Sequence, residues 1–210
     1  MIKILIADDH TLFRKGLKQT IDDNPHMQVL DEATNGHEVL SKAANTHHDL
    51  IILDISMPGP NIFDIIARLK SDNTKRGILV LTMHPEDQYA MRILKAGASG
   101  YLNKETEEET LIKAIRKVYN GGKYVSPNLA EKLAFALDVD FEKAPHESLS
   151  DREFQVMLLI AAGKQVSQIA AEIHLGVSTV STYRARILEK MGLKNNAEIV
   201  QYAYKNKLID

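Results

Sequence analysis

Apolar residues along this chain recur in two alternating rhythms. Short aliphatic runs stand at Ile2–Ala7, Gln28–Ala33, Leu50–Leu53, Ile78–Leu81 and Ser99–Leu102. Most are rich in isoleucine, leucine and valine, as strands buried on both faces should be. Between them lie segments with helical spacing. Phe13, Leu17, Thr20 and Ile21 fall at i, i+4, i+7 and i+8, and Leu111, Ile115 and Val118 at i, i+4 and i+7. Five such cycles predict an α/β domain over residues 1–122, a doubly wound five-stranded parallel sheet covered by helices on both faces.

The rhythm then changes. Gly121-Gly122 closes the last helix of the first domain. Ser126-Pro127 reads as a cap followed by proline at the first helical position, so Asn128–Leu137 is expected as a short linker helix. Asp138–Ser148 is polar and without period, the expected joint of a linker spanning 123–147. From 148 to 210 the pattern is helical throughout. Ser150 and Glu153 have the spacing of a capping box. Phe154, Leu158 and Ala161 share one face, and Gly163 stops that helix. Val166, Ile169, Ala170 and Ile173 make a second, short helix. After the turn Leu175-Gly176-Val177, Ser178–Met191 is the third and Asn196–Lys205 the fourth. Two short helices, a tight turn and a third helix describe a helix-turn-helix, and a four-helix module for protein contacts fits the same pattern.

Composition narrows the class. There is no cysteine, which excludes disulfides, thiolate chemistry and cysteine-bound zinc. No apolar run reaches the roughly 18 residues of a membrane span. Asp8-Asp9 ends the first apolar run too early for a signal peptide, so the expected location is the cytoplasm, with no membrane partner. Net charge is −2. Residues 164–194 carry 5 Lys/Arg against 2 Asp/Glu, a mild basic bias far short of a nucleic-acid arm.

The candidate chemistry lies where polar residues meet the strands. The first run ends in Asp8-Asp9, the third in Asp54, the fourth in Thr82 and the fifth in Asn103-Lys104. In an open parallel sheet, ligands bind at the carboxyl ends of the strands. Three carboxylates, a hydroxyl and a lysine should therefore converge. Clustered carboxylates suit Mg²⁺, which prefers hard oxygen ligands. A carboxylate can also serve as the nucleophile toward phosphorus, with the cations neutralising charge on the phosphoryl group. An aspartate-nucleophile phosphatase uses a similar pocket. It usually places nucleophile and acid two residues apart after the first strand, whereas this chain has Asp8-Asp9-His10. His47-His48 lacks metal-ligand spacing and reads as solvated loop. The spacing of His10 and His84 assigns them no catalysis, and Glu107-Glu108-Glu109 is expected in the first turn of a helix, where the dipole favours anions.

The set Asp8-Asp9, Asp54, Thr82 and Lys104, with Ile51-Ile52-Leu53-Asp54-Ile55-Ser56-Met57-Pro58-Gly59, resembles the receiver domain of two-component response regulators. Asp8-Asp9-His10 and Thr82-Met83-His84 are typical of its NarL/FixJ subfamily. Pro60-Asn61-Ile62 departs from the family, which often has glycine there. The resemblance implies a flavodoxin-like fold. It implies phosphorylation of Asp54 by a sensor histidine kinase, and Mg²⁺ (or Mn²⁺) held by Asp8, Asp9, Asp54 and the Ser56 carbonyl. It makes Thr82 and Tyr101 the switch pair and Lys104 the phosphate-binding cation. Such a chain is no enzyme beyond its own phosphoryl chemistry. Residues 148–210 resemble the LuxR-type helix-turn-helix. Ser178-Thr179-Val180-Ser181-Thr182-Tyr183-Arg184 matches the recognition-helix signature, with tyrosine where histidine is frequent. DNA contact is then expected from Lys164, Ser178, Thr179, Ser181, Thr182, Arg184, Ala185 and Arg186. Asn196, Ile199 and Val200 are expected in the contact of a phosphorylated homodimer on paired half-sites of double-stranded DNA. A regulator of this build that ignores phosphate is the remaining alternative.

Overall fold

The structure is a computed structural model that describes residues 1–138, 144–206 and 208–209. Five strands, β1 (Ile2–Ala7), β2 (Met27–Ala33), β3 (Leu50–Leu53), β4 (Gly77–Thr82) and β5 (Gly100–Asn103), form one sheet in the order β2-β1-β3-β4-β5. Every pairing is parallel. This is the doubly wound, flavodoxin-like order, whose crossover reverses between β1 and β3. Five helices connect and cover the strands: α1 (Thr11–Asp22), α2 (Gly36–Asn45), α3 (Ile62–Asp72), α4 (Glu86–Lys95) and α5 (Glu108–Tyr119). Strand alternation splits the core into two layers. On one face, Ile4, Ile6, Ile52, Leu79 and Leu81 pack with Leu17 and Ile21 of α1 and Leu111, Ile115 and Val118 of α5. The alternate set, Leu5, Ile51, Leu53 and Val80, is equally buried. Glu108 and Glu109 lie in the first turn of α5, as expected.

Polar residues follow the apolar runs at the carboxyl ends of the strands, the edge of the sheet where such folds form their ligand crevice. Thr82 and Asn103 are the last residues of β4 and β5, while Asp8 and Asp54 follow β1 and β3 directly.

After α5 the chain runs back along the sheet edge. Tyr124 pairs in parallel with Gly100 of β5. Then α6 (Pro127–Asp138) begins, capped by Ser126. By contacts the chain forms two compact units, Met1–Ala134 and Phe135–Asp210. Of the expected joint 138–148, residues 139–143 lie outside the described residues. Its end is ordered. Pro145–Ser148 forms a 3₁₀ turn, and His146 Nδ1 lies 2.8 Å from the Tyr202 hydroxyl.

The second unit packs α7 (Asp151–Ala161), α8 (Val166–Glu172), α9 (Val177–Met191) and α10 (Asn196–Lys205). The capping box forms, with Glu153 donated to by the Ser150 amide and the Ser150 hydroxyl accepting from the Glu153 amide. Phe154, Leu158, Ala161, Ile169, Val180, Ile187, Ile199 and Ala203 fill the core. The turn between α8 and α9 takes its left-handed residue just before the Leu175-Gly176-Val177 segment. Gly176 is extended at φ −69°, and His174 takes the left-handed conformation at φ 53°. The Leu175 amide then reaches Ala170 O at 2.9 Å, the closing bond of a Schellman turn. Histidine is among the non-glycine residues enriched at such positions. Among the described residues, no helix is long and apolar enough to cross a membrane.

Candidate functional site

The strand ends bring the expected pocket together. Asp8 and Asp54, 2% and 3% exposed, flank Lys104, whose Nζ lies 2.7 Å from Asp8 Oδ2 and 2.8 Å from Asp54 Oδ2. Burial alone would lower the Lys104 pKa. Hydrogen bonds and the charges of Asp54 and Asp8 outweigh it, so the ammonium is held more firmly than usual. Its charge also stands over the Phe13 ring, 4.7 Å from the centroid. The other oxygen of each carboxylate takes a backbone amide: Asp54 Oδ1 from Ile55 at 2.7 Å, Asp8 Oδ1 from His10 at 2.8 Å. Asp9 lies at the mouth, where oxygens of Asp8, Asp9 and Asp54 and a nitrogen of His10 come within 4.8 Å of one another. Three carboxylates at that separation fit a hard divalent cation such as Mg²⁺.

Thr82 and Tyr101 are both fully buried. The His84 amide donates to Thr82 Oγ1 at 3.4 Å. The Tyr101 hydroxyl donates to His84 O at 2.9 Å. Burial, reinforced by nearby Tyr89, Glu86 and Asp54, pushes that hydroxyl far above the ordinary phenol range, so it remains a donor. Ser56 is exposed beside the pocket, its Oγ 2.9 Å from His84 Nε2.

Two of the surroundings depart from the sequence reading. His48 is fully buried rather than solvated, with Nε2 2.8 Å from Asp31 Oδ2 on β2. His47 is exposed, as expected. Arg14 was not anticipated as part of the pocket. It donates to Asp8 O at 2.7 Å and to Glu32 at 3.0 Å, which fixes the backbone on which Asp8 stands. Its signal is a charge on the buried stripe of α1, at Arg14, Leu17 and Ile21.

In the second unit, α9 divides cleanly. Val180, Ile187 and Met191 are buried, while Ser178, Thr179, Ser181, Thr182, Ala185 and Arg186 are exposed. Ser178, Thr179, Thr182, Tyr183 and Arg186 line a shallow concavity of about 280 Å³. Arg184 is half-buried and tied to α10, its Nε donating to Asn196 Oδ1 at 2.6 Å. Lys164, in the loop before α8, pairs with Glu172. One expectation fails: Ile199 is 0% exposed in the core of its own unit and offers no surface to a partner. Residues 199 and 203 are spaced i, i+4 and form the inward stripe of α10. Val200 stands 36% and Tyr204 69% exposed on the outer side.

Comparison with known proteins agrees with both halves. The family profile of the response regulator receiver domain matches residues 4–116, and that of bacterial regulatory proteins of the luxR family matches residues 147–203. Response regulator GacA of Pseudomonas aeruginosa is 34% identical over 211 residues, covering 100% of this chain and 99% of that protein. Response regulator UvrY of Escherichia coli is 31% identical over 209 residues, 99% of this chain and 96% of that protein. Among solved structures, a two-component response regulator of the LuxR family from Aurantimonas is similar at TM-score 0.59 and 29% identity. It covers 64% of this chain and 96% of that one. RcsB of Salmonella enterica bound to promoter rprA shares the fold at TM-score 0.68 and 23% identity, covering 97% and 99%.

Proposed function

The chain belongs to the DNA-binding response regulators that join a receiver to a LuxR-type helix-turn-helix, and on that premise we propose that phosphorylation of Asp54 by a partner histidine kinase governs its binding to promoter DNA. The observation that carries this reading is the Asp54 carboxylate, buried after the central strand with an ammonium 2.8 Å from one oxygen. Transfer breaks the P–N bond of a phosphohistidine and forms a P–O bond to Asp54, and the departing imidazole takes up a proton. Lys104 is placed to neutralise charge on the phosphoryl oxygens. Asp8, Asp9 and Asp54, with the Ser56 carbonyl, would hold Mg²⁺ (or Mn²⁺), which supplies further neutralisation there. Thr82 then donates its hydroxyl to a phosphoryl oxygen, and Tyr101 follows the loop it is bonded to. The chain acts on no other substrate, and its chemistry is confined to gaining that group and losing it to water.

The exposed face of α9 is read as the major-groove surface, with Ser178, Thr179, Ser181, Thr182, Ala185 and Arg186 toward bases and phosphates. Lys164 and Arg184 flank it as backbone contacts. The outer face of α10, with Asn196 and Val200, is read as the homodimer contact on half-sites about one helical turn apart. The cytoplasm, where kinase and DNA meet, is the proposed location.

Incubation with Mg²⁺ and acetyl phosphate, followed by intact mass and peptide mapping, tests the receiver. One phosphoryl group on residues 51–58 is expected, and it disappears in Asp54→Asn. An adduct that survives that change overturns the assignment. For the second unit, alanine at Ser181, Thr182, Arg184 or Arg186 should weaken duplex binding by about 1–3 kcal/mol each where a base edge is read. Binding indifferent to all four and to salt contradicts the groove model.

A further inference from the structure

Hydrogen bonds run from the acidic pocket to the start of α6. The His84 amide donates to Thr82 Oγ1, and the Tyr101 hydroxyl holds the same loop at His84 O and, at 3.4 Å, Pro85 O. Glu86 is the next residue and the first of α4. Its Oε2 accepts from the Ser126 hydroxyl at 2.6 Å. The same hydroxyl accepts from the Leu129 amide at 3.1 Å. One side chain therefore caps α6 and ties it to α4. The carboxylate it binds sits at the positive end of the α6 dipole, which favours the pairing.

The chain is fastened again two residues earlier. The Tyr124 amide donates to Ser99 O at 2.8 Å, and its carbonyl accepts from the Tyr101 amide at 3.2 Å. Gly100 leaves room for this: a Cβ there would lie 2.8 Å from Tyr124 O. Tyr101 thus touches the pocket loop with its side chain and the linker with its backbone. Holding a phosphoryl group requires none of these linker contacts.

We propose that Glu86 and Ser126 form a latch that holds the start of the linker helix to the receiver, and that it opens when phosphoryl oxygens draw the Thr82 hydroxyl away from the His84 amide. This rests on the phosphorylation reading above. The loop from His84 to Glu86 loses its anchor at Thr82, and Glu86 moves with it. A charge-assisted O–H···O bond weakens steeply over a fraction of an ångström. Ser126 still caps α6, so the helix persists while its start is freed. Phosphate acts here on a two-state element, by differential contact. Since α6 is the segment that leads out of the receiver, freeing its start changes what the DNA-binding unit is tethered to.

Deuterium exchange on the full chain, with and without acetyl phosphate and Mg²⁺, reads the latch. Phosphorylation is expected to speed exchange over residues 123–134 about tenfold, the worth of one such hydrogen bond, and to leave α3 unchanged. Glu86→Ala and Ser126→Asp should do the same without phosphate. The second keeps the cap but sets like charges together. Both should bring unphosphorylated binding close to the phosphorylated value, on a duplex selected from a random pool by the phosphorylated chain. Glu86→Lys combined with Ser126→Asp should restore slow exchange and phosphate dependence. Unchanged exchange over 123–134 in a chain whose mass shows the phosphoryl group on Asp54 overturns the latch alone. So do single variants that loosen the segment yet keep the wild-type ratio of phosphorylated to unphosphorylated affinity. A chain that takes no phosphoryl group at Asp54 fails the parent reading, and the trigger of the latch with it.

Discussion

His48 has no exposed surface, and its ring faces Asp31 on β2, Arg76 before β4 and its neighbour His47. Burial lowers its pKa below the usual 6.5. Asp31 opposes that shift, and Arg76 and His47 add to it. The unfolded chain therefore binds this proton more readily than the folded one, and stability is lost as pH falls below about 6.5 toward the lowered folded value. The receiver's urea midpoint should be flat with respect to this group above pH 6.5. Below it the unfolding free energy should decline by no more than about 1.4 kcal/mol per pH unit, drawing the midpoint down with it, and His48→Asn should remove that slope. Arg14 tests the pocket's foundation. Arg14→Met keeps the apolar stem but frees Asp8 O and Glu32, and it should cost about 1–3 kcal/mol in denaturant unfolding. Neither role was fully legible in the sequence. The carboxylates could be placed because each ends its own strand. His48 meets Asp31 only through sheet register, 17 residues away, and no local pattern encodes that.

At the scale of elements, periodicity located all five strands and the helices that bear the site, because burial on one face or two leaves a regular trace in the sequence. The same trace explains the error at Ile199. That residue was placed at the partner surface by resemblance, while its i, i+4 relation to Ala203 put it in the core. Turn chemistry is harder to read, since His174 rather than a glycine takes the left-handed position before Leu175. Two substitutions separate these effects. Gly77→Ala sets a Cβ 2.6 Å from Val118 Cγ1 and must push α5 off β4, at about 1–3 kcal/mol. His174→Gly removes left-handed strain of about 1–2 kcal/mol but adds unfolded-state freedom of about 0.5–1 kcal/mol. Its expected effect is a gain of up to about 1.5 kcal/mol, read as a rise in the thermal midpoint of the DNA-binding unit.

At the scale of the whole molecule, two compact units should answer to different ligands. In calorimetry, Mg²⁺ at about 100 times its dissociation constant should stabilise the receiver by about 2.7 kcal/mol and leave the DNA-binding unit's transition where it was, while duplex DNA does the reverse. A single transition moved equally by both would mean the units unfold as one. The final consequence comes from Lys104, which bridges Asp8 and Asp54. A cation attached to the chain has a local concentration that the surrounding medium cannot change. A dissolved divalent ion at the proposed site would have to compete with it, so the magnesium concentration needed to load the receiver would be raised by the protein's own ammonium. Cutting the tether with Lys104→Met should lower that concentration, giving tighter magnesium binding by titration calorimetry even as phosphoryl transfer slows. The residue that helps the reaction would then also be the one that makes the chain wait for it.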